Sequence, residues 1–517
     1  MNYRLGIDVG GTNTDAVIID EKLNVASQVK VPTTPDVYTG IMNAVRAVLD
    51  SGRADRRDIT MAMLGTTQCT NAIVERKNLV PVGVLRIGAP ATAGIQPMTD
   101  WPEELKKVVY RSTIVRGGYE YDGKELNPLD EDAVRAFFSD IKGHVDSVAI
   151  SGVFSTLRNE QEARAGEIAR QVLGEDVHIS LSSEIGSMGL IERENATILN
   201  AALNKVAKAF TEGFEKSLKE EGLENVSLYL SQNDGTLMSL EEARRYPVLT
   251  IACGPTNSIR GASYLSRISN AIIVDVGGTT TDVGALQNGF PRESGVAVTI
   301  GGVRTNFRMP DVVSIGLGGG SIVRVRDDGS VTVGPDSVGY RITEEALVFG
   351  GNTLTATDVA VRLGMAEIGD KSRVASLDEG IAVRAMDEIR NKVEEAIDSM
   401  KLSGSDVTVV LAGGGSVIIP ASLRGAAEVI VPPHSGCANA IGSAISKVSG
   451  YYEKLVSYDE IERDQAIRLA TNEAVLEALK AGARSDSVEV VELEDVPLQY
   501  YPGNMVRIRI KVAGDLA

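Results

Sequence analysis

The chain has 517 residues, too long for one simple hydrophobic core, so two large domains with a smaller appendage are expected. A hydrophobic share of 43% with 24% charged residues excludes a disordered chain, and an aromatic share of 4% leaves the core to Val, Ile, Leu and Ala. The formal charge of −18 and pI near 4.9 argue against nucleic acid or an anionic membrane as partner, so an anionic ligand must be held locally.

The start MNYRLGIDVGG runs into a strand pattern without a basic flank and apolar h-region, and no stretch reaches 18 uninterrupted apolar residues; a soluble, cytoplasmic protein is expected. Residues 3–9, 15–20 and 25–31 read as three short strands separated by tight turns, followed by an amphipathic helix over 37–51. Helices are expected near 130–140, 158–173 and 187–221, interleaved with apolar strands at 146–154 and 226–230. The opening order then returns, with strands at 271–276, 282–286 and 291–299. A charged amphipathic helix over 376–401, a buried strand at 407–412 and a small-residue helix over 436–450 follow. Beyond about 455 the pattern changes to helix, strand (487–494) and strand (505–512). This alternation predicts an α/β fold with a parallel or mixed sheet covered by helices. The domains expected are 1–185, a second lobe over 186–454, and a small α+β region over 455–517.

The sharpest feature is a repeat. DVGGTNTD at residues 8–15 returns 267 positions later as DVGGTTTD at 275–282, differing at one position. A single copy reads equally well as an ordinary glycine-assisted β-hairpin. The second copy points instead to two related lobes whose turns face each other. Paired glycines let the backbone approach a ligand, successive N–H groups cradle phosphate oxygens, and threonine hydroxyls add donors. The aspartate at the strand end repels those phosphates unless Mg²⁺ lies between them, directly or through waters. Asp8 and Asp275 are therefore candidates for holding Mg²⁺, its waters or the attacking oxygen. Gly10, Gly11, Thr12 and Asn13, with Gly277, Gly278, Thr279 and Thr280, are the expected phosphate contacts. Asp15 and Asp282 cap the turns or share the metal role. A third glycine run, VLAGGGS at 410–416, follows the buried strand and fits a close backbone approach to a nucleoside through Gly413, Gly414 and Gly415.

No Walker G-x-x-x-x-G-K-[ST] occurs at these turns, and GLGGGS at 316–321 lacks the full dinucleotide-binding spacing. The cysteines (Cys69, Cys253, Cys437) and histidines (His144, His178, His434) lie far apart without metal-ligand spacing, so they read as isolated structural or surface groups.

The ordered set of two turns and a third glycine run resembles the actin, Hsp70 and sugar-kinase superfamily of ATPases. That resemblance implies duplicated ribonuclease-H-like domains with ATP in the cleft between them. LGTTQCTNAIVERKN at 64–78, RGGYEYDGKELNPLD at 116–130, SQNDG at 231–235, GPTNSIRGA at 254–262 and SIGLGGGSI at 314–322 are similar to the A-type chains of the hydantoinase/oxoprolinase family. The similarity runs in order from about residue 4 to residue 445.

The family resemblance implies ATP- and Mg²⁺-dependent phosphorylation of a carbonyl oxygen, which activates a hydantoin, 5-oxoproline or another lactam for ring-opening hydrolysis. It also implies a separate hydantoinase B-type or equivalent partner subunit, hence a hetero-oligomer. Two alternatives stay open: the ATPase subunit of an acetone- or acetophenone-type carboxylase, and a non-catalytic ATP-switched regulator. Thr66, Thr67 and Asn71 are placed at the substrate or γ-phosphate end of the cleft; the alternative is that Thr66, Thr67 and Thr70 cap a helix start, with Glu75 and Arg76 supporting that helix through ion pairs. Gly318, Gly319 and Gly320 are assigned to the cleft lining, Arg116 to Gly118 to a surface loop, and Cys253 to packing. YRITEEALVFGG at 340–351 replaces the glycine-, proline- and cysteine-rich stretch of larger family members. The tail after 450 is also shorter, and both departures bear on the substrate rather than on ATP.

Overall fold

The computed structural model describes every residue except 1, 35, 53, 295–297, 308 and 500–502. Strands β1 (Tyr3–Val9), β2 (Asn13–Ile19) and β3 (Val25–Pro32) form an antiparallel meander. Helix α1 (Val37–Asp50) starts where the Asp36 side chain accepts from the Thr39 N–H, and it returns the chain to β4 (Ile59–Thr66), parallel to β1. Helix α2 (Gln68–Glu75) follows.

An inserted unit comes next. Strands β5 (Val82–Ala89), β6 (Val109–Arg116), β7 (Ser147–Gly152) and β8 (His178–Leu181) are all parallel, in the order β6-β5-β7-β8. Their connections carry α3 (Glu103–Lys106), α4 (Glu131–Ile141) and α5 (Glu160–Leu173). The helix expected over 187–221 is two, α6 (Leu190–Ala202) and α7 (Asn204–Glu220), broken at Leu203. Strands β9 (Ser227–Ser231) and β10 (Thr236–Ser239) rejoin the first sheet beside β4, and α8 (Leu240–Arg245) follows with a Ser239/Glu242 capping box.

After α9 (Cys253–Ser266) the opening pattern repeats with β11 (Ala271–Val276) and β12 (Thr281–Gln287). The short strands β13 (Phe290–Pro291), β14 (Val298–Ile300), β15 (Val303–Thr305) and β16 (Val312–Ile315) follow. The strand expected over 291–299 is thus present only at its two ends, and 295–297 lie outside the described residues. A hairpin of β17 (Ser321–Val325) and β18 (Val331–Ser337) leads to α10 (Ile342–Glu345), α11 (Ala356–Arg362) and the long α12 (Glu379–Met400). Strands β19 (Val407–Ala412) and β20 (Ala426–Ile430) complete the second sheet.

The sheets show the duplication directly. The first runs β3-β2-β1-β4-β9 and the second β16-β12-β11-β19-β20, each with its second strand antiparallel, which is the duplicated α/β unit expected from the repeat. In the first lobe Ala16 and Ile18 share a core with α1, while Val17 and Ile19 pack on α13 (Ala438–Ile445). In the second, Val274 and Val283 pack on α12, while Ile273 and Leu286 pack on α9. Strands covered on both faces read as continuous apolar runs, as these do.

The helix expected over 436–450 stops at Ile445, and β21 (Lys447–Ser457) begins two residues later. Ser446 turns extended, and the Tyr- and Val-rich stretch pairs along its length with the C-terminal strand. Helix α14 (Arg463–Lys480) lays Ala466, Ala470, Ala474 and Ala478 against β21, whose Gly450 leaves room for the helix backbone. Strands β22 (Glu489–Pro497) and β23 (Met505–Gly514) join β21, so this region extends the first sheet to nine strands. The sheets therefore divide the chain differently from the linear boundaries at 185/186 and 454/455. No helix among the described residues is long and apolar enough to cross a membrane.

Candidate functional site

Each copy of the repeated turn closes in the same way. The Gly10 N–H donates to the Asn13 carbonyl at 3.0 Å, and the Gly277 N–H donates to the Thr280 carbonyl at 2.9 Å. In register, Asp8 lies opposite Asp15 and Asp275 opposite Asp282, so each turn presents two carboxylates at its base. The turns meet: a Cβ on Gly278 would lie 2.9 Å from the Thr12 hydroxyl, so a side chain there would have to displace Thr12. Between them runs a cleft of about 410 Å³ lined by all eight turn residues expected to contact phosphate, by Asp8, Asp15, Asp275 and Asp282, and by Thr67. Gly413, Gly414 and Gly415 line it too. Gly413 has φ +80, its N–H donates to Ser435 O at 3.0 Å, and Gly415 donates to Val276 O at 2.8 Å. A Cβ on Gly413 would strike the Asp275 carboxylate, which is why this run is glycine.

Burial governs the carboxylates. It raises the Asp8 carboxyl to about 7, with Asp15 adding to the rise and a hydrogen bond from Asn439 opposing it. Asp275 is raised to about 6, again chiefly by burial, against a hydrogen bond from Ser258. Asp15 and Asp282 are also raised by burial. Asn439 Nδ2 reaches Asp8 Oδ2 at 3.2 Å, and Ser258 Oγ donates to Asp275 Oδ2 at 2.5 Å. Asp8 Oδ1 is buried without a hydrogen-bond partner. One carboxylate from each lobe, with backbone donors for phosphates, is the donor set that a phosphate-bound Mg²⁺ uses. Among the described residues no group of three or more His, Cys, Asp and Glu side chains converges on a metal site, so the fit is to a cation shared with phosphate rather than to a protein cage.

The remaining expected residues distribute unevenly. Thr67 lines the cleft, whereas Thr66 is buried behind it, exchanging hydrogen bonds with Cys253 through its N–H and carbonyl. Asn71 is exposed one turn along α2 and donates to Thr67 Oγ1 at 3.4 Å. Of the GLGGGS run, Gly319 reaches the cleft. Gly318 and Gly320 back the second turn, Gly320 donating to Gly278 O at 2.7 Å. Burial pushes the Cys253 thiol up to about 12, which suits a packing residue and not a nucleophile. Arg116 ends β6 and donates through Nε to Asn127 Oδ1, whereas Gly117 and Gly118 beyond it are buried rather than on a surface loop, the Gly118 N–H donating to Gln161 Oε1 at 2.6 Å. Asn233 and Asp234 of SQNDG line a separate cavity of about 680 Å³, and Asp234 is also paired with the buried Lys511, whose Nζ lies 3.0 Å from it.

Sequence reading missed four residues in contact with the carboxylates: Lys30 on β3, Ser258 on α9, Ser314 on β16 and Asn439 on α13. Lys30 lies opposite Asp15 in the β2–β3 register, so hairpin counting could have found it. Nothing local marks Asn439, which reaches Asp8 from 431 residues away.

Residues 4–173 match the family model described as hydantoinase/oxoprolinase N-terminal region, and residues 193–367 match the one described as hydantoinase/oxoprolinase. The caprolactamase alpha subunit of Pseudomonas jessenii is 30% identical over 422 residues, covering 76% of this chain and 59% of its own length. The acetophenone carboxylase gamma subunit of Aromatoleum aromaticum is 27% identical over 400 residues, covering 70% and 53% respectively. The chain thus spans little more than half the length of these two relatives. The crystal structure of the ATP-dependent caprolactamase of P. jessenii superposes with a TM-score of 0.77 at 23% identity, covering 100% of this chain and 88% of that one, which shows a shared fold.

Proposed function

The chain belongs to the hydantoinase/oxoprolinase family, and from that premise we propose that its inter-lobe cleft binds ATP with Mg²⁺ and activates a cyclic amide for ring opening. The observation that carries the reading is the pair of near-identical turns whose backbones face each other across the cleft, with Thr12 against Gly278. One phosphate-binding turn is an anion site; two opposed turns with an aspartate behind each are a clamp for a polyphosphate and its cation. The similarity to the caprolactamase alpha subunit supports a lactam, hydantoin or 5-oxoproline as the acceptor.

In this reading the N–H groups of Gly10 to Asn13 and Gly277 to Thr280 hold phosphate oxygens, and Gly413 to Gly415 face the nucleoside. Asp8 and Asp275 face the cation, which when bound neutralises phosphate charge and offsets the cost of ionising two buried carboxylates. Ser258 and Asn439 fix those carboxylates from the two helices behind them. Thr67 sits at the cleft beside Gly254 and Pro255, where an acceptor oxygen would enter. Phosphoryl transfer depends on such positioning and charge neutralisation. An unactivated amide is a poor electrophile; moving the γ-phosphoryl group to its oxygen gives the carbon imidate character and supplies a leaving group. Water addition and C–N cleavage then need an activating metal or base, and the described residues contain no compact metal cluster, so a partner subunit completes the hydrolysis.

The test is Mg²⁺-dependent phosphate release from ATP by the purified chain, alone and with its partner, in the presence of caprolactam, 5-oxoproline or hydantoin. Stimulation by a cyclic amide supports the proposal; the absence of ATP turnover with every amide and partner combination refutes it. The acetophenone carboxylase relative supports a second reading, carbonyl activation for carboxylation. Phosphate release that requires a ketone and bicarbonate, and ignores amides, would select it.

A further inference from the structure

The two turns are near copies in sequence, yet the strand outside each differs. Opposite Asp15, β3 places Lys30; opposite Asp282, β16 places Ser314. Lys30 Nζ lies 2.5 Å from Asp15 Oδ1 and 2.6 Å from Oδ2, while Asp282 accepts a hydroxyl hydrogen bond from Ser314 and pairs with no cation among the described residues. Among the described residues lining the cleft, Lys30 is the one cation, set against four aspartates. Its side chain is 36% exposed although its ammonium is held by the nearly buried Asp15, so Lys30 bridges the buried base of the turn and the solvent-facing cleft. From β3 it also approaches the second lobe: its Cε lies 3.9 Å from where a Cβ of Gly414 would be.

We propose that Lys30 is the residue that meets the nucleotide's phosphates with a protein charge, positioned by Asp15, and that this makes the duplicated clamp functionally one-sided. The proposal rests on the ATP reading of the cleft. A cleft already holding four carboxylates cannot take a polyphosphate on backbone donors alone, and one divalent cation leaves net negative charge. Lysine supplies a compact charge with three rotatable donors on a flexible stem, so it can share its hydrogens between Asp15 and a phosphate oxygen without leaving its anchor. The first-lobe turn then carries the charge-assisted contact and the second only backbone and hydroxyl donors. The Lys30 charge also favours ionisation of Asp8 and Asp275, the two residues facing the cation.

Binding of Mg-ATP, inorganic tripolyphosphate and adenosine is to be measured by calorimetry on the wild-type chain, Lys30→Met, Lys30→Gln and Lys30→Arg, with thermal unfolding alongside. Loss of a charge-assisted contact predicts about tenfold or greater weakening for ATP and tripolyphosphate in Lys30→Met and Lys30→Gln, with adenosine unchanged. Lys30→Arg, which keeps the charge, should restore phosphate affinity to within about threefold. Wild-type affinity for tripolyphosphate in both neutral variants would overturn the proposal while leaving the ATP reading standing. Equal loss of all three ligands with a fall in melting temperature would also overturn it, assigning Lys30 a structural role. A wild-type chain that binds none of the three would defeat the ATP reading first and this proposal with it.

Discussion

Helices α9 and α13 cross behind the cleft, and the crossing is made by two glycines. A Cβ on Gly442 would lie 2.7 Å from the carbonyl carbon of Asn257 and closer still to its oxygen; one on Gly261 would meet Ala438 in the same way. The oxygen is the nearer atom and sets the displacement, and since a Cβ essentially never comes within 3.0 Å of another heavy atom, Gly442→Ala must push the helices apart by more than about 1 Å. The obstacle is backbone, so no rotamer change relieves it. Overpacking of this kind costs about 1–3 kcal/mol, against which alanine recovers roughly 0.5–1 kcal/mol of helix propensity. We expect a net loss near 1–2 kcal/mol and a fall in melting temperature of roughly 2–8 °C for a cooperative unit the size of one lobe. The same two helices carry Ser258 and Asn439, which hold Asp275 and Asp8, so a shift at the crossing moves the carboxylates. ATP turnover should fall by about tenfold or more, since displacement of about 1 Å can cost 10²-fold. Combining Gly261→Ala with Gly442→Ala should cost less than the sum, because the first substitution has already opened the seam. Gly404→Ala, with nothing within 4 Å of its Cβ, is the control and should melt within about 0.5 kcal/mol of wild type. Calorimetric unfolding and phosphate release measure both effects. Wild-type stability and turnover in Gly442→Ala would refute the close crossing on which the argument depends.

Three other outcomes follow from particular groups. Asp275→Asn keeps a side chain able to meet Ser258 but loses the charge facing the cation; turnover should drop by about 10²-fold or more with little change in melting temperature, and unchanged turnover would remove Asp275 from its role. Arg86 and Glu194 are buried partners at 2.5 Å, with Ser151 also donating to Glu194. Arg86→Met should destabilise by about 3–5 kcal/mol in urea unfolding, and adding Glu194→Leu should recover part of that loss; no recovery would mean the cost was not the stranded carboxylate. His178 is lowered to about 4 by burial and then by Arg245, against an ordinary value of 6.5. Between those values the unfolded chain binds the proton and the native chain does not, so this group's contribution is whole above about pH 6.5 and is lost as the pH falls toward 4, by at most about 3 kcal/mol. The buried carboxylates Asp8 and Asp275 act in the opposite sense over that range, so the comparison is between wild type and His178→Gln in urea unfolding at pH 7 and pH 5. Parallel losses in the two proteins would count against His178.

The helices and strands closest to the repeated turns were legible because both devices act locally. Apolar runs at strand period and small residues at turns specify β1, β2, β11 and β12 within a residue or two. The stretch over 436–450 misled because its small residues permit a helix, whereas pairing of Val448 to Ser457 with β23 decides where that helix stops. The placement of β9, β10 and the C-terminal strands in one sheet was likewise hidden, since sheet membership is a choice among partners remote in the chain.

By itself the sequence determined that the chain is a duplicated α/β protein, which residues form the two turns, and that the third glycine run belongs with them. Those properties live in backbone conformation and short-range spacing, where glycine and threonine have few substitutes. Only the tertiary structure decided that Thr66 lies behind the cleft while Thr67 faces it, and that Ser258 and Asn439 serve the aspartates. Each of those contacts joins segments brought together by the packing of sheets and helices, and a linear pattern carries no signal for a partner that only folding selects.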